Sequence, residues 1–298
     1  MADGMPDIVA PPARIAFIGL GNMGRPMARQ LAQAGFDVVG FDAAAATRAS
    51  VAATSGLAVA DTLRSAVGDA AAVVTMLPDG KIVSDVVGSL LSHLSRHAVV
   101  IDMSSSDPMS TRDLGQDLAA AGFELIDAPV SGGVKRAANG TLAIMVGGRD
   151  ACVDRVEPIL RAMGSSVFRT GALGSGHAIK ALNNYVSGAG LAAAVEALKI
   201  ARHFGLDENT VVDVLNASTG RNNSTELKLK QFVIPETYAS GFFLGLMAKD
   251  IRTAAKLARD LHVAAPFVDA CANLWDGAAV SLGAAADHTE IGRFPAAG

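Results

Sequence analysis

The chain has 298 residues, enough for two domains or one large domain with a helical extension; half of them are hydrophobic but only 5% are aromatic. Alanine and glycine carry much of the apolar share, which favours closely packed helices and parallel strands over a β-sandwich. A formal charge of −4 with no dense Lys/Arg run argues against a nucleic-acid footprint or an anionic-membrane surface, leaving small molecules as the expected partners.

Residues 1–13 hold two acidic residues and consecutive prolines but no basic n-region or long apolar core, so they read as a flexible lead and not a signal peptide. From Arg14 to about Thr170, short apolar runs alternate with helical patterns, the rhythm of βαβ units on a parallel sheet. Strands are predicted at 15–18, 38–41, 72–76, 99–101, 124–126, 142–146 and 167–168, with crossover helices such as 23–34 and 108–121. After Gly176 the β-branched runs stop. Residues 175–204 form one long Ala-rich helical pattern ending at Gly205, followed by helical stretches at about 208–216, 224–232, 246–261 and 266–283. The expected fold is α/β: a Rossmann-type, doubly wound, mostly parallel sheet over 14–171, joined by a long interdomain helix to an all-α domain over 172–298.

The glycine-rich turn Gly19-Leu20-Gly21-Asn22-Met23-Gly24 follows the first strand and opens the first helix. Gly19 permits the tight turn, Gly21 lets backbone approach a pyrophosphate, and Gly24 allows close helix-to-strand packing, while the helix N-terminus offers free N–H groups. The next strand ends at Asp42, where an acid accepts hydrogen bonds from the adenosine ribose and repels a 2′-phosphate, favouring NAD over NADP. Arg48, in the next helix, is either a solvated arginine or a partner for that phosphate, which keeps NADP possible.

Small and hydroxyl-bearing residues mark the carboxyl ends of later strands: Met76-Leu77-Pro78, Asp102-Met103-Ser104-Ser105 and Asp127-Ala128-Pro129-Val130-Ser131-Gly132-Gly133. In the last block the bare amides of Gly132 and Gly133 beside the Ser131 hydroxyl suit a substrate carboxylate, or make an ordinary tight turn. Lys180 precedes Asn183 and Asn184 by three and four residues, which puts amine and amide on one helix face. An amine in a partly dry cleft serves as general base in alcohol oxidation or general acid in carbonyl reduction; spacing alone fits a solvated surface lysine as well. Cys152 and Cys271 lie outside any disulfide-framework or zinc-ligand spacing, so no metal is expected and the compartment reads as reducing, hence cytoplasmic. The apolar stretch 185–201 is interrupted by Glu196 and Lys199, as in a buried helix and not a membrane span.

Four blocks, at 19–28, 127–133, 174–184 and 245–250, resemble the signatures of the β-hydroxyacid dehydrogenases, a group that includes 3-hydroxyisobutyrate dehydrogenase and 2-hydroxy-3-oxopropionate (tartronate semialdehyde) reductase. The resemblance covers nearly the whole chain in order. It implies a nicotinamide-dependent hydride transfer to or from a small 3-hydroxy acid or semialdehyde, with Lys180 catalytic and no metal. It implies that Ser131, Gly132 and Gly133 hold the substrate carboxylate, that Asn184 contacts substrate, and that Leu77, Pro78, Ser105 and Lys249 line the cofactor side. Homodimers or homotetramers built through the helical domain are a further implication. The sequence departs from many members at Asp79, where they carry Asn after the Leu-Pro pair.

The alternatives are an imine reductase-like enzyme, which typically lacks the lysine, and a non-catalytic dinucleotide-binding module, which has no use for it. A phosphogluconate dehydrogenase needs a longer helical region and a basic cluster. The loop 216–224 and residues 241–244 are expected to face the cleft, with Arg221, Phe242 and Phe243 carrying no assigned role; the hydroxy acid itself is not fixed by the sequence.

Overall fold

The computed structural model describes residues 7–295. Its N-terminal unit is built on one sheet with strands β1 (Arg14–Ile18), β2 (Asp37–Phe41), β3 (Ala58–Val59), β4 (Ala72–Thr75), β5 (Val99–Asp102), β6 (Glu124–Asp127), β7 (Val130–Ser131), β8 (Leu142–Gly147) and β9 (Gly164–Gly171). The strand order is β3-β2-β1-β4-β5-β6-β8-β7, with β9 pairing β8. Strands β3 to β6 run parallel, β8 meets β6 antiparallel where Asp127 faces Gly147, and β9 is parallel to β8. The seven predicted strands are present. The two unforeseen ones, β3 and β7, have two residues each, too short to show a period.

Every residue of β4 and β5 is buried, the pattern of parallel strands covered by helices on both faces. Alternation along the strands sends Ile15, Phe17, Val74 and Ile101 to one face, where they pack with Met27 and Leu31 of α1 (Gly24–Gln33) and with Val156 and Ile159 from the helix Asp150–Met163. The other face buries Ala16, Ile18, Val73 and Val100 against helices Leu63–Val67, Gly80–Leu90 and Pro108–Ala120. The remaining helices are Ala45–Ser55, after β2, and Gly133–Ala138, after β7. In chain order these are α2 (Ala45–Ser55), α3 (Leu63–Val67), α4 (Gly80–Leu90), α5 (Pro108–Ala120), α6 (Gly133–Ala138) and α7 (Asp150–Met163). Chain order reverses between β1 and β4, and the crevice at the carboxyl ends of strands flanking such a switch is where open α/β sheets bind ligands.

Residues 7–13 depart from the flexible lead expected there. Val9 is buried in the sheet's core and its N–H donates to the Arg155 carbonyl at 2.8 Å, while Arg155 Nε donates to the Asp7 carbonyl at 3.2 Å. Residues 1–6 of that lead lie outside the described residues.

The chain divides into compact units at Lys180/Ala181, inside α8 (Ser175–Phe204). The border expected at 171 is where β9 ends, whereas the first compact unit runs on through the first six residues of the helix. The second unit is helical: α9 (Glu208–Ala217), α10 (Asn223–Leu227), α11 (Leu244–Asp260) and α12 (Pro266–Leu282). Its core joins Leu191, Val195 and Leu198 of α8 to Met247 and Ile251 of α11 and Trp275 of α12. One expected helix differs: 224–232 is the short α10, capped by the Asn222 side chain, passing into a π-helical turn at Leu229–Val233. Among the described residues no helix is long and apolar enough to cross a membrane.

Lys228, just beyond α10, is half-buried, and its Nζ donates to Ser187 Oγ at a long 3.5 Å. Burial pushes its ammonium down to about 8, with Asp287 opposing only in part. Between pH 8 and the ordinary value of 10.5, the unfolded chain holds a proton that the folded chain releases, so this group's contribution to stability rises with pH across that window. Lys228→Met is therefore expected to raise stability at pH 7 by up to about 3 kcal/mol, with the gain shrinking as pH climbs through the window. Urea denaturation at several pH values checks this; a gain independent of pH refutes it.

Candidate active site

The glycine-rich turn sits at the carboxyl end of β1, beside the switch in strand order. Gly19 has a φ of +99°, and its N–H donates to the Phe41 carbonyl at 2.8 Å, drawing the turn onto the end of β2. A Cβ on Gly24 would collide with the Gly19 carbonyl oxygen, so only glycine lets α1 start this close to the turn. A Cβ on Gly21 would meet nothing within 4 Å, which leaves its backbone open to a ligand. Helix α1 begins at Gly24, with Met23 as an N-cap that offers no capping side chain; the Arg25 N–H donates to the Gly21 carbonyl at 3.1 Å and Pro26 has none, so in this turn it is the Gly24 N–H that is left for an anion. The adjoining cleft, about 380 Å³, is lined by Leu20, Gly21, Asn22, Arg25, Arg29 and Thr47. Bare amides, an uncapped helix start and two guanidinium groups fit the phosphates of a dinucleotide.

Asp42 directly follows β2. Its Oδ2 accepts the Leu20 N–H and its Oδ1 the Ala44 N–H, both at 2.9 Å, so the carboxylate ties the glycine turn to the β2–α2 connection while staying half-exposed. Arg48 is half-buried and turned back onto the chain. Its Nη1 donates to the carbonyls of Asp42 (2.8 Å) and Ala43 (3.1 Å), and its guanidinium lies over the Phe41 ring, 5.5 Å from the centroid.

Further along the rim, the Leu77 N–H donates to Ser104 Oγ at 2.9 Å; Leu77 and Ser105 are half-buried and Pro78 is exposed. Asp79 caps α4, its Oδ1 accepting the Ile82 N–H, a role that Asn fills equally well. Ser131 ends β7, and Gly132 and Gly133 follow with φ of +134° and +67°, exposing successive amides beside the hydroxyl. Lys180, in the second turn of α8, is 8% exposed, not a solvated surface lysine. In the helical unit, Asn184 is buried; its Nδ2 donates to Asp250 Oδ2 at 2.5 Å and its Oδ1 accepts from Asn183 at 3.1 Å. Lys249 Nζ lies 3.8 Å from the other oxygen of Asp250, so α11 brings the expected cofactor-side lysine and the carboxylate that orients Asn184 together.

Asp102 and Asp127 stand within the strand-end motifs without a role that the sequence assigns to their carboxylates, and His177 carries no motif signal of its own. All three are buried at the ends of β5 and β6 and the start of α8. Asp102 Oδ1 accepts from Thr75 Oγ1 (2.9 Å) and the Ser104 N–H (3.0 Å), and its Oδ2 from Ser106 Oγ (2.7 Å). The available signal was an acid ending two successive buried strands, costly unless the charge is fully hydrogen-bonded.

A family model described as the NAD binding domain of 6-phosphogluconate dehydrogenase matches residues 14–171, and one described as the NAD-binding of NADP-dependent 3-hydroxyisobutyrate dehydrogenase matches residues 174–294. The chain is 35% identical over 274 residues to the 2-(hydroxymethyl)glutarate dehydrogenase of Eubacterium barkeri, covering 91% of each. It is 36% identical over 258 residues to the 3-sulfolactaldehyde reductase of Escherichia coli, covering 85% of this chain and 86% of that one. The solved structure of Mycobacterium tuberculosis 3-hydroxyisobutyrate dehydrogenase with L-serine matches with a TM-score of 0.88 at 33% identity, over 94% of this chain and 98% of that one.

Because the α1 start tolerates no side chain at its first residue, Gly24→Ala is expected to weaken NADH binding at least about tenfold, some 1.4 kcal/mol, in a chain with native far-UV circular dichroism. Titration by NADH fluorescence reads this, and an unchanged Kd in the folded variant refutes it.

Proposed function

We propose a substrate class and a proton path from one premise: this chain belongs to the β-hydroxyacid dehydrogenase family and is an NAD(P)-dependent oxidoreductase acting on CH–OH groups. Its substrate is a small 3-hydroxy acid or the corresponding semialdehyde, and the relatives' names make 3-hydroxyisobutyrate, L-serine and 2-(hydroxymethyl)glutarate the first to try. The observation that carries the reading is Lys180: an amine 8% exposed, in the same compact unit as the glycine turn and the Ser131-Gly132-Gly133 segment.

In this reading the glycine turn, Asp42, Leu77, Pro78, Ser105 and Lys249 hold the dinucleotide, which supplies the hydride acceptor or donor. The Ser131 hydroxyl and the amides of Gly132 and Gly133 donate to the substrate carboxylate. Lys180 Nζ takes the hydroxyl proton as the carbinol carbon loses hydride, and returns it in the reverse direction. Asn184 keeps one amide hydrogen for substrate while the other is committed to Asp250. Asp42 favours NAD, because its carboxylate opposes a 2′-phosphate.

The protein works as a homodimer or homotetramer associating through the helical unit, where α8 and α12 leave Val186, Ile200, Phe204 and Val280 between 67% and 89% exposed. A reducing cytoplasm suits the two cysteines, both buried and unpaired, whose thiols burial pushes up to about 11.

Steady-state kinetics with that panel against NAD and NADP tests the reading. Lys180→Ala is expected to lower kcat by about 10²- to 10⁴-fold with NADH affinity nearly unchanged; full activity in that variant ends the proposal. Asp42→Ser is expected to shift the NAD/NADP ratio of kcat/KM towards NADP by about tenfold or more, some 1.4 kcal/mol. A ratio that stays put removes Asp42 as the selector.

A further inference from the structure

Gly174, just before α8, has a φ of +87° and no side chain, and a Cβ there would lie 2.7 Å from the Pro108 carbonyl oxygen. This helix therefore cannot begin with a capping side chain of its own, although the N–H groups of its first turn still require acceptors. Asp127, 47 residues earlier at the end of β6, supplies them: Oδ1 accepts the Gly174 N–H at 2.7 Å and Oδ2 the His177 N–H at 2.8 Å. The His177 ring pins the same turn from beneath. Its Nε2 donates to the Ser104 carbonyl at 3.1 Å and lies 3.6 Å from Asp102 Oδ2, while its Nδ1 lies 2.9 Å from Thr111 Oγ1 and 3.7 Å from Asp127 Oδ2.

His177 and Lys180 are three residues apart and so share one side of the helix. Slippage of this turn by one residue rotates Lys180 by about 100° about the axis, enough to remove its amine from any fixed reacting group. Asp127 also heads the segment that leads to Ser131, Gly132 and Gly133. One carboxylate thus holds the start of the lysine-bearing helix and the strand end that leads into the glycine pair.

We propose that Asp127 and His177 are positioning residues for the reaction, fixing the Lys180 amine relative to the carboxylate-binding turn. The inference rests on Lys180 being the proton carrier. It differs from a merely structural role in its consequence: chemistry is lost in protein that still folds and binds cofactor.

Asp127→Asn, His177→Ala, His177→Gln and Lys180→Ala are compared with whichever of 3-hydroxyisobutyrate, L-serine and 2-(hydroxymethyl)glutarate the wild type turns over best, with rates expressed per NADH-binding site. Asp127→Asn, which sets an amide N–H against a backbone N–H, and His177→Ala are expected to lower kcat on the order of 10²-fold while NADH affinity holds. His177→Gln, whose amide can still donate to the Ser104 carbonyl, recovers part of the loss. Added methylamine partly restores Lys180→Ala but not Asp127→Asn, which retains its own, misplaced amine. A wild-type kcat per NADH site in Asp127→Asn overturns the inference, as does methylamine rescue of Asp127→Asn to the same degree as Lys180→Ala. Should Asp127→Asn fail to fold, the His177 pair decides: a wild-type kcat in His177→Ala, or equal losses in both, overturns it. A fully active Lys180→Ala defeats the general acid/base reading first and takes this inference with it, whereas an inactive Lys180→Ala beside fully active Asp127 and His177 variants defeats the positioning role alone.

Discussion

A carboxylate removed from water must have its lone pairs occupied, and the rim of this sheet is organised around two that do. Asp102 and Asp127 end adjacent parallel strands and face each other in register, with 2% and 0% of their surfaces exposed. Left unpaired, either would cost several kcal/mol. Satisfying them recruits Thr75 from β4, Ser104 and Ser106 from the segment after β5, and the first turn of α8. The Leu77 N–H joins through the Ser104 hydroxyl. Backbone that would otherwise be loop, at the edge where a ligand must be met, is thereby held as firmly as the sheet.

The opposite side of the same edge is held by close approach instead of charge. Gly24 lets α1 abut the Gly19 carbonyl, and Asp42 closes the turn by accepting the Leu20 amide. The two halves divide the labour in chemical terms. The β1–α1 side leaves the Gly24 N–H and the guanidinium groups of Arg25 and Arg29 beside a cleft, whereas on the β6–α8 side Asp127 takes up the N–H groups of Gly174 and His177. In the helical unit Asp250 orients Asn184 as it pairs with Lys249, again a carboxylate placing the groups around it.

What the sequence makes legible is what is local. The turn at 19–24 declares itself through spacing against a strand and a helix, and the long Ala-rich pattern of α8 through its period. Asp127 stands in a quoted motif, yet its partners Gly174 and His177 lie about fifty positions away, and nothing in the spacing of either block states that they meet. Arg48 illustrates the same limit: both readings taken from sequence pointed its guanidinium outward, but the nearby carbonyls of Asp42 and Ala43 and the Phe41 ring offered better company. Residues 7–13 look like tail by composition, but the Arg155 contacts, the Asp37 N–H on the Ala13 carbonyl and the burial of Val9 tie them to the sheet. At 229–233 the apolar spacing continues while the hydrogen-bond period widens, a change of helix type that side-chain pattern alone does not encode.

The buried indole in the core of the helical unit has a practical side. Trp275 is the chain's sole tryptophan, fully enclosed between α11 and α8. The dinucleotide turn belongs to the other unit and has no such chromophore. Intrinsic emission excited at the red edge is therefore a one-sided optical label: it registers loosening of the helical half and is blind to direct melting of the sheet, whose state must be followed by backbone dichroism. Whether the two signals coincide along a denaturation curve measures how strongly the halves cooperate in folding.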